Sequence, residues 1–267
     1  MSAPFDGIDA VVTDIEGTTG SIAFVKDVLF PYADEHLATF LEEHRNEPAV
    51  RALLDEAARI AGVGANDDEA ILAALRAWIR DDRKVTPLKA LQGMIWARGY
   101  HDGALRGDVY PDAVHGLERL KGRGIDLYVF SSGSVAAQKL IFGYSVAGDL
   151  TALFDGYFDT TVGPKTESAS YVAIANRIAR EPHRILFLSD SIPELDAARA
   201  AGFQTVHVVR DGPLPNASAH PSIASFDELE VSGAAGVSLS LSKTGDDITL
   251  PFDKLRASSA QGDTDSG

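Results

Sequence analysis

Two short apolar runs, Ile8 to Val12 and Ile185 to Leu188, are each followed within two residues by an acid, Asp14 and Asp190. Runs this short, rich in branched aliphatic and aromatic residues, read as strands rather than helices. Neither alternates regularly with polar residues, so both suit a parallel sheet covered on both faces. An acid at the carboxyl end of such a strand lies where open α/β sheets hold their ligands. After the first run the chain reads Asp14-Ile15-Glu16-Gly17-Thr18-Thr19. In extended backbone, positions two apart face the same way, so Asp14 and Glu16 are expected to converge. Gly17 then permits a sharp turn. This stretch is the candidate active site.

The chain between the two runs changes period. Val25, Val28, Leu29, Tyr32, Leu37, Phe40 and Leu41 recur at helical spacing, giving one apolar stripe. A second stripe, Val50 to Ile60, ends at Gly62 and Gly64, and a third, Ile71 to Ile79, follows the capping acids Asp67 and Asp68. A fourth begins at Thr86-Pro87, read as N-cap and first helical position, and stops at Gly99. Four helices in succession are not a strand–helix repeat; they read as an inserted helical cap, residues 23–102. Alternation then resumes. Helices are expected over 111–121, 135–142, 167–180 and 195–200, strands over 125–130, 185–188 and 205–209, and a short strand or turn near 157–162. The expected fold class is α/β, a doubly wound parallel-sheet core built from residues 1–22 and 103–230 and interrupted by the cap. Residues 231–267, dominated by Ser, Gly and Asp, are expected to be a mostly disordered tail, with a small hairpin across Thr244-Gly245 as the local alternative.

Charge and residue usage narrow the function. A formal net charge of −15 argues against nucleic acid, which requires a basic footprint. The absence of cysteine excludes disulfides, thiolate catalysis and zinc–thiolate sites. No run approaches the roughly 20 apolar residues that span a bilayer, and the amino terminus lacks the basic and apolar regions of a signal peptide. A cytoplasmic protein without membrane partners is expected. No P-loop and no His-x-x-x-His pair occurs in the chain.

Four groups fall at strand ends of the core: Asp14 with Glu16, Ser131 with Ser132, Lys165, and Asp190. Each alone has a structural explanation as a cap, a turn or a solvated cation. Together they suit phosphoryl transfer. Asp14 can attack phosphorus and form an aspartyl-phosphate. A hard Mg²⁺ needs oxygen ligands, available from Asp14, Asp190 and the carbonyl or side chain of Glu16. Lys165 can offset charge on the phosphate oxygens. Ser131 and Ser132, just before a helix, can donate hydroxyl and main-chain N–H bonds to the phosphate. Glu16 can protonate the leaving oxygen and later deprotonate water.

The pattern Asp-x-Glu-Gly-Thr-Thr, Ser131-Ser-Gly-Ser, Gly163-Pro-Lys165 and Leu188-Ser-Asp190 resembles the four motifs of the haloacid dehalogenase superfamily. The usual first motif there is Asp-x-Asp-x-Thr, so Glu16 is a marked departure. With Ser21 to Tyr32, Val109-Tyr-Pro-Asp112 and Tyr128 to Leu140, the chain looks like the enolase-phosphatase family of methionine salvage from about residue 8 to 228. That resemblance implies one Mg²⁺ per subunit on Asp14, Glu16 and Asp190, substrate binding by Ser131, Ser132 and Lys165, and a monomer. It implies enolisation and dephosphorylation of a small phosphorylated diketone, 2,3-diketo-5-methylthiopentyl-1-phosphate. The alternative is a phosphatase of the same superfamily acting on a sugar phosphate or phosphoglycolate. In either case the cap is expected to serve as a lid. Within it Trp78 and Trp96 are expected to pack in the core, while Phe24 and Lys26, at the hinge, are expected to meet substrate.

Overall fold

Ala10 to Thr13 form β1, buried along its whole length in the interior of a six-stranded sheet. The other strands are β2 (Asp126–Phe130), β3 (Gly156–Phe158), β4 (Ile185–Ser189), β5 (Gln204–Val208) and β6 (Ser222–Ile223). Their order is β3-β2-β1-β4-β5-β6, and every neighbouring pair is parallel. The chain fills one side of β1 first, then returns to β4 on the other. β1 and β4 therefore flank the topological switch point, where the crevice of such a sheet opens. Thr13 lies opposite both Val129 and Leu188, which brings Asp14, Ser131 and Asp190 out along the same edge. The computed structural model in which this is seen describes residues 5–233.

Side-chain alternation along β1 divides the core. Val11 joins Leu117, Leu127, Phe142 and Leu186 on one face, whereas Ala10 and Val12 join Tyr171, Ile174, Phe187 and Leu195 on the other. The first layer includes α6 (Pro111–Gly122) and α7 (Val135–Gly143); the second includes α8 (Ser168–Ile178) and α9 (Ile192–Ala200). The expected doubly wound α/β class is what is observed.

Between β1 and α6 run α1 (Ile22–Phe24), a π-turn (Val25–Leu29), α2 (Phe30–His44), α3 (Pro48–Ala61), α4 (Asp68–Arg80) and α5 (Thr86–His101). Leu37, Leu54, Leu75, Trp78 and Leu91 form an apolar cluster of their own, each such side chain contributing about 1.5–3 kcal/mol on burial. The helical insert is present, although its first stripe is divided by the π-turn. Asp67 caps α4 as expected, accepting from the Ala70 N–H at 3.0 Å. Both ends of α5 differ from expectation. Val85, not Thr86, is the N-cap of α5, and its side chain makes no capping bond. Gly99 does not stop that helix. A Cβ there would lie 2.7 Å from the Tyr32 ring, so this glycine serves a close helix contact.

β6 was not foreseen, since two residues are too few to show a period. The carboxyl boundary also moves. The Phe5 N–H donates to the Glu230 carbonyl at 2.9 Å and the Ser232 N–H to the Phe5 carbonyl at 2.8 Å, and Val231 is buried. Pairing with the amino-terminal segment thus carries ordered structure into the expected tail; the remainder, with the expected hairpin, lies outside the described residues. Among the described residues no helix is long and apolar enough to cross a membrane.

Candidate active site

Asp14 follows β1 directly, its N–H donating to the Leu188 carbonyl of β4 at 2.9 Å, so the strand geometry fixes where its carboxylate emerges. Lys165 meets it there. Nζ donates to Asp14 Oδ1 at 2.6 Å and lies 2.7 Å from Glu194 Oε2. Both Asp14 and Lys165 are buried. The lysine comes from the turn before α8, where Tyr171 Oη donates to the Lys165 carbonyl at 2.7 Å and Ser170 Oγ to the Pro164 carbonyl at 2.7 Å. Gly163 in that turn has φ +137, open to glycine, and a Cβ would collide with Ser170. Burial by itself favours the neutral amine, but Asp14 and Glu194 outweigh it and hold Lys165 firmly as an ammonium.

Glu194 was missed by the sequence reading. It stands in the first turn of α9, where an acid is expected from the helix dipole alone, so its position carried no distinguishing signal. Its carboxylate also accepts from Ser189 Oγ at 3.0 Å.

Glu16, near Asp14 as expected, has a different partner. Ser131 Oγ donates to Glu16 Oε2 at 3.1 Å and accepts from the Gly133 N–H at 3.1 Å. The two acids of the first motif are close enough that burial, then the charge of Asp14, raises the carboxyl pKa of Glu16. Asp190, at the end of β4, is pushed up to about 6 by burial and then by Asp14. Gly17, with φ +75, lies so close to Asp190 that any Cβ would overlap its carboxylate. Ser132 is exposed, and its carbonyl accepts from Lys89 Nζ of α5 at 3.1 Å. Ser134, the fourth residue of the Ser-Ser-Gly-Ser stretch, is the N-cap of α7. The structure therefore brings Asp14, Lys165, Glu16 and Ser131 together by contact or charge, with Asp190 at the adjoining strand end and Ser132 at the rim.

A cavity of about 230 Å³ opens beside Glu16 and Ser131, between the sheet edge and the helical insert. Its apolar wall includes Leu29, Phe30, Ile79, Trp78 and Trp96, and its polar rim Lys84 and Lys89. One expectation, core packing of the two tryptophans, is met and extended, and another, substrate contact by Phe24 and Lys26, is corrected. Trp78 belongs to the apolar cluster of the insert yet also lines the cavity. Trp96 donates from Nε1 to the Leu29 carbonyl at 2.8 Å, which turns its ring to the wall. Phe24 does not line the cavity, and Lys26 borders a separate groove with Pro31 and Asp34. Within the π-turn Val25 and Leu29 line the cavity and Lys26 does not, a division that a helical stripe does not show.

Four carboxyl groups, Asp14, Glu16, Asp190 and Glu194, share this end of the sheet with one ammonium, which pairs directly with Asp14 and Glu194. A phosphate dianion cannot join them without further positive charge; the carboxyls of Asp190 and Glu16 are raised first by burial and then by the charge of Asp14. Among the described residues no three acidic or imidazole side chains form a ready metal cage. The all-oxygen donors present suit Mg²⁺, which usually takes one or two carboxylates and completes its shell with water and phosphate. Asp14 and Asp190 are the available carboxylates. Since the Glu16 side chain is engaged by Ser131, its main-chain carbonyl, which accepts no hydrogen bond among the described residues, is the oxygen it can offer.

A family model described as haloacid dehalogenase-like hydrolase matches residues 8–202. The protein named enolase-phosphatase E1 in Pseudomonas aeruginosa strain LESB58 is 57% identical over 224 residues, covering 84% of this chain and 99% of that one. Its namesake in Azotobacter vinelandii is 54% identical over 223 residues, 84% of this chain and 97% of that one. Among solved structures, the UTR4 protein of Saccharomyces cerevisiae matches with a TM-score of 0.71 at 33% identity, covering 84% of this chain and 100% of that one.

Proposed function

Because this chain belongs to the haloacid dehalogenase-like hydrolases and, within them, to the enolase-phosphatase family, we propose that it converts 2,3-diketo-5-methylthiopentyl-1-phosphate to 1,2-dihydroxy-3-keto-5-methylthiopentene and phosphate in methionine salvage. The observation that carries this reading is the division of labour between the two acids of one motif. Asp14 is held by Lys165 for phosphoryl transfer, while Glu16 faces Ser131 and an apolar-walled cavity suited to a thioether tail.

In this reading Glu16 removes the C1 proton of the diketone, and the electron pair becomes the enol double bond as the C2 carbonyl oxygen takes a proton from solvent, to which Glu16 releases the proton it later takes from water. A carboxyl group whose pKa is raised by burial is suited to carry a proton near neutral pH. Asp14 then attacks phosphorus, the P–O bond to the enol oxygen breaks, and Glu16 returns a proton to that oxygen. Water, deprotonated by Glu16, hydrolyses the aspartyl-phosphate. Lys165 offsets charge on the transferring phosphoryl group, and Ser131 with the N–H groups before α7 receives its oxygens. Mg²⁺, held by Asp14, Asp190 and the Glu16 carbonyl, would supply the remaining positive charge. The helices from 23 to 102 act as the lid over a cytoplasmic, monomeric enzyme.

Phosphate release from the diketone phosphate, with and without Mg²⁺ and beside p-nitrophenyl phosphate and a sugar phosphate, tests the reading. Metal-dependent release strongly favouring the diketone is expected; equal release from all three would overturn it. Glu16→Gln is expected to abolish the ultraviolet absorbance of the enol intermediate. Full enol formation by that variant would remove Glu16 as the base.

A further inference from the structure

Arg210, two residues past β5, belongs to none of the four motif groups, yet its guanidinium reaches the turn that follows Asp14. Nε and Nη2 both donate to the Thr18 carbonyl, at 2.9 and 2.6 Å, while Nη1 donates to Asp112 Oδ2 at 2.7 Å. The group lies 4.3 Å from the Tyr110 ring centroid and 5.3 Å from that of Phe226. Asp112 Oδ2 also accepts from Ser225 Oγ at 3.0 Å and the Phe226 N–H at 2.8 Å. The fork is thus fixed at every edge, in a geometry that an ammonium cannot reproduce.

What it grips touches both acids. Thr18 is fully buried, and its Oγ1 accepts from the Asp190 N–H at 3.1 Å. The neighbouring Thr19 Oγ1 donates to the Asp14 carbonyl at 3.1 Å. The turn is wedged as well, because Gly17 abuts the Asp190 carboxylate and Gly20 abuts the Asp108 carbonyl. The Tyr110 N–H, donating to the Thr19 carbonyl at 2.9 Å, completes the anchorage. No other side chain among the described residues donates to the Thr18 carbonyl.

We propose that Arg210 is a positioning residue for the phosphoryl-transfer site: by clamping the Thr18 carbonyl it sets the placement of Asp190 relative to Asp14, and hence the pair of carboxylates offered to the metal. It does this without touching substrate. The proposal rests on the phosphoryl-transfer reading of the site but not on which phosphoester is the substrate.

Mn²⁺ binding followed by paramagnetic resonance, together with steady-state kinetics on Arg210→Gln, Arg210→Lys and Asp112→Asn, tests it. For Arg210→Gln the Mn²⁺ Kd is expected to rise about tenfold and kcat to fall by about 10–100-fold, as for other supports of metal ligands, with KM within about twofold. Arg210→Lys should recover only part of kcat, and Asp112→Asn, which keeps an acceptor oxygen but removes the charge paired with the fork, should show a smaller loss of the same kind. Wild-type Kd and kcat in folded Arg210→Gln would overturn the proposal, as would a loss confined to KM. Should Arg210→Gln fail to fold, Asp112→Asn decides, since unchanged metal affinity and kcat there leave the clamp without a role. A wild-type enzyme inert on the diketone phosphate would sink the substrate reading alone, because the metal titration and p-nitrophenyl phosphate turnover still compare the variants.

Discussion

At the scale of single residues, the site stores electrostatic strain. Asp190 titrates near 6 when folded, because burial and then Asp14 disfavour its anion, against an ordinary value of 3.8. The folded chain therefore binds this proton more tightly than the unfolded chain. Its contribution to stability is fully present below the ordinary value and is lost as the pH rises through about 6. In metal-free protein, Asp190→Asn, which never ionises, is expected to raise the Tm by about 2–4 °C at about pH 7.5 and to leave it unchanged near pH 4. Calorimetry at the two pH values checks this; a stabilisation equal at both, or a loss at the higher, would mean that charge is not the cause. Saturating Mg²⁺ should reverse the order at the higher pH, since the variant would lack one of the carboxylates proposed to hold the metal. The acids themselves were legible in the sequence because each ends an apolar run. Glu194 and Arg210 were not. A first-turn acid and a lone cation after a strand are explained locally, and only the parallel register of β1, β4 and β5 brings them to Lys165 and Thr18.

At the scale of elements, helical spacing located the insert but not the side it turns to the cavity. A stripe of apolar residues shows which face is buried without showing against what. Trp78 and Trp96 sit on such stripes and serve both the insert and the cavity wall. Of the π-turn at Val25–Leu29, Val25 and Leu29 line the cavity while Lys26 borders the separate groove, and Lys89 of α5 lines the rim and bonds the Ser132 carbonyl. Lys89→Ala is accordingly expected to raise KM for the diketone phosphate severalfold, by about 1 kcal/mol of lost hydrogen bonding, with a smaller effect on kcat. Lys26→Ala is expected to leave both constants within error of wild type. Steady-state kinetics on the pair decides: the reverse result would place the substrate in the groove beside Pro31 instead of against Trp96. A second contact argues that the insert is closely packed. Gly99→Ala should cost about 1–3 kcal/mol, the usual range for overpacking, because the new methyl would lie 2.7 Å from the Tyr32 ring; urea unfolding measures it, and an unchanged midpoint would show that Tyr32 swings aside.

At the scale of the whole molecule, the two ends of the described chain close on each other. Phe5 and Ile8 pair with residues 230–232 through three main-chain hydrogen bonds, and Leu229 and Val231 are each 2% exposed, within the same apolar cluster as Val11 of β1. Arg119 Nη2 donates to the Phe226 carbonyl at 2.7 Å and Arg123 Nη1 to the Val231 carbonyl at 2.8 Å, so α6 grips this segment from outside. The same segment supplies Phe226, which packs beside Arg210, and Ser225, which bonds Asp112. Composition marked a change near residue 230 but could not show that order continues past it, since Val231 and Ser232 are tied by pairing with the opposite terminus and show no local pattern. Two truncations separate the contributions. A chain ending after Gly233 keeps every one of these contacts and is expected to match full-length kcat, KM and Tm. A chain ending after Phe226 loses two fully buried aliphatic side chains, which together cost about 4–8 kcal/mol by analogy with large core deletions. That chain should lose most of its folded population at 37 °C, and where it remains folded it should also bind Mn²⁺ more weakly, because the support beneath Arg210 and Asp112 is loosened. Equal stability of the two truncations, measured by urea unfolding, would show that the carboxyl-terminal pairing is dispensable and that α6 and β1 hold the amino-terminal segment unaided.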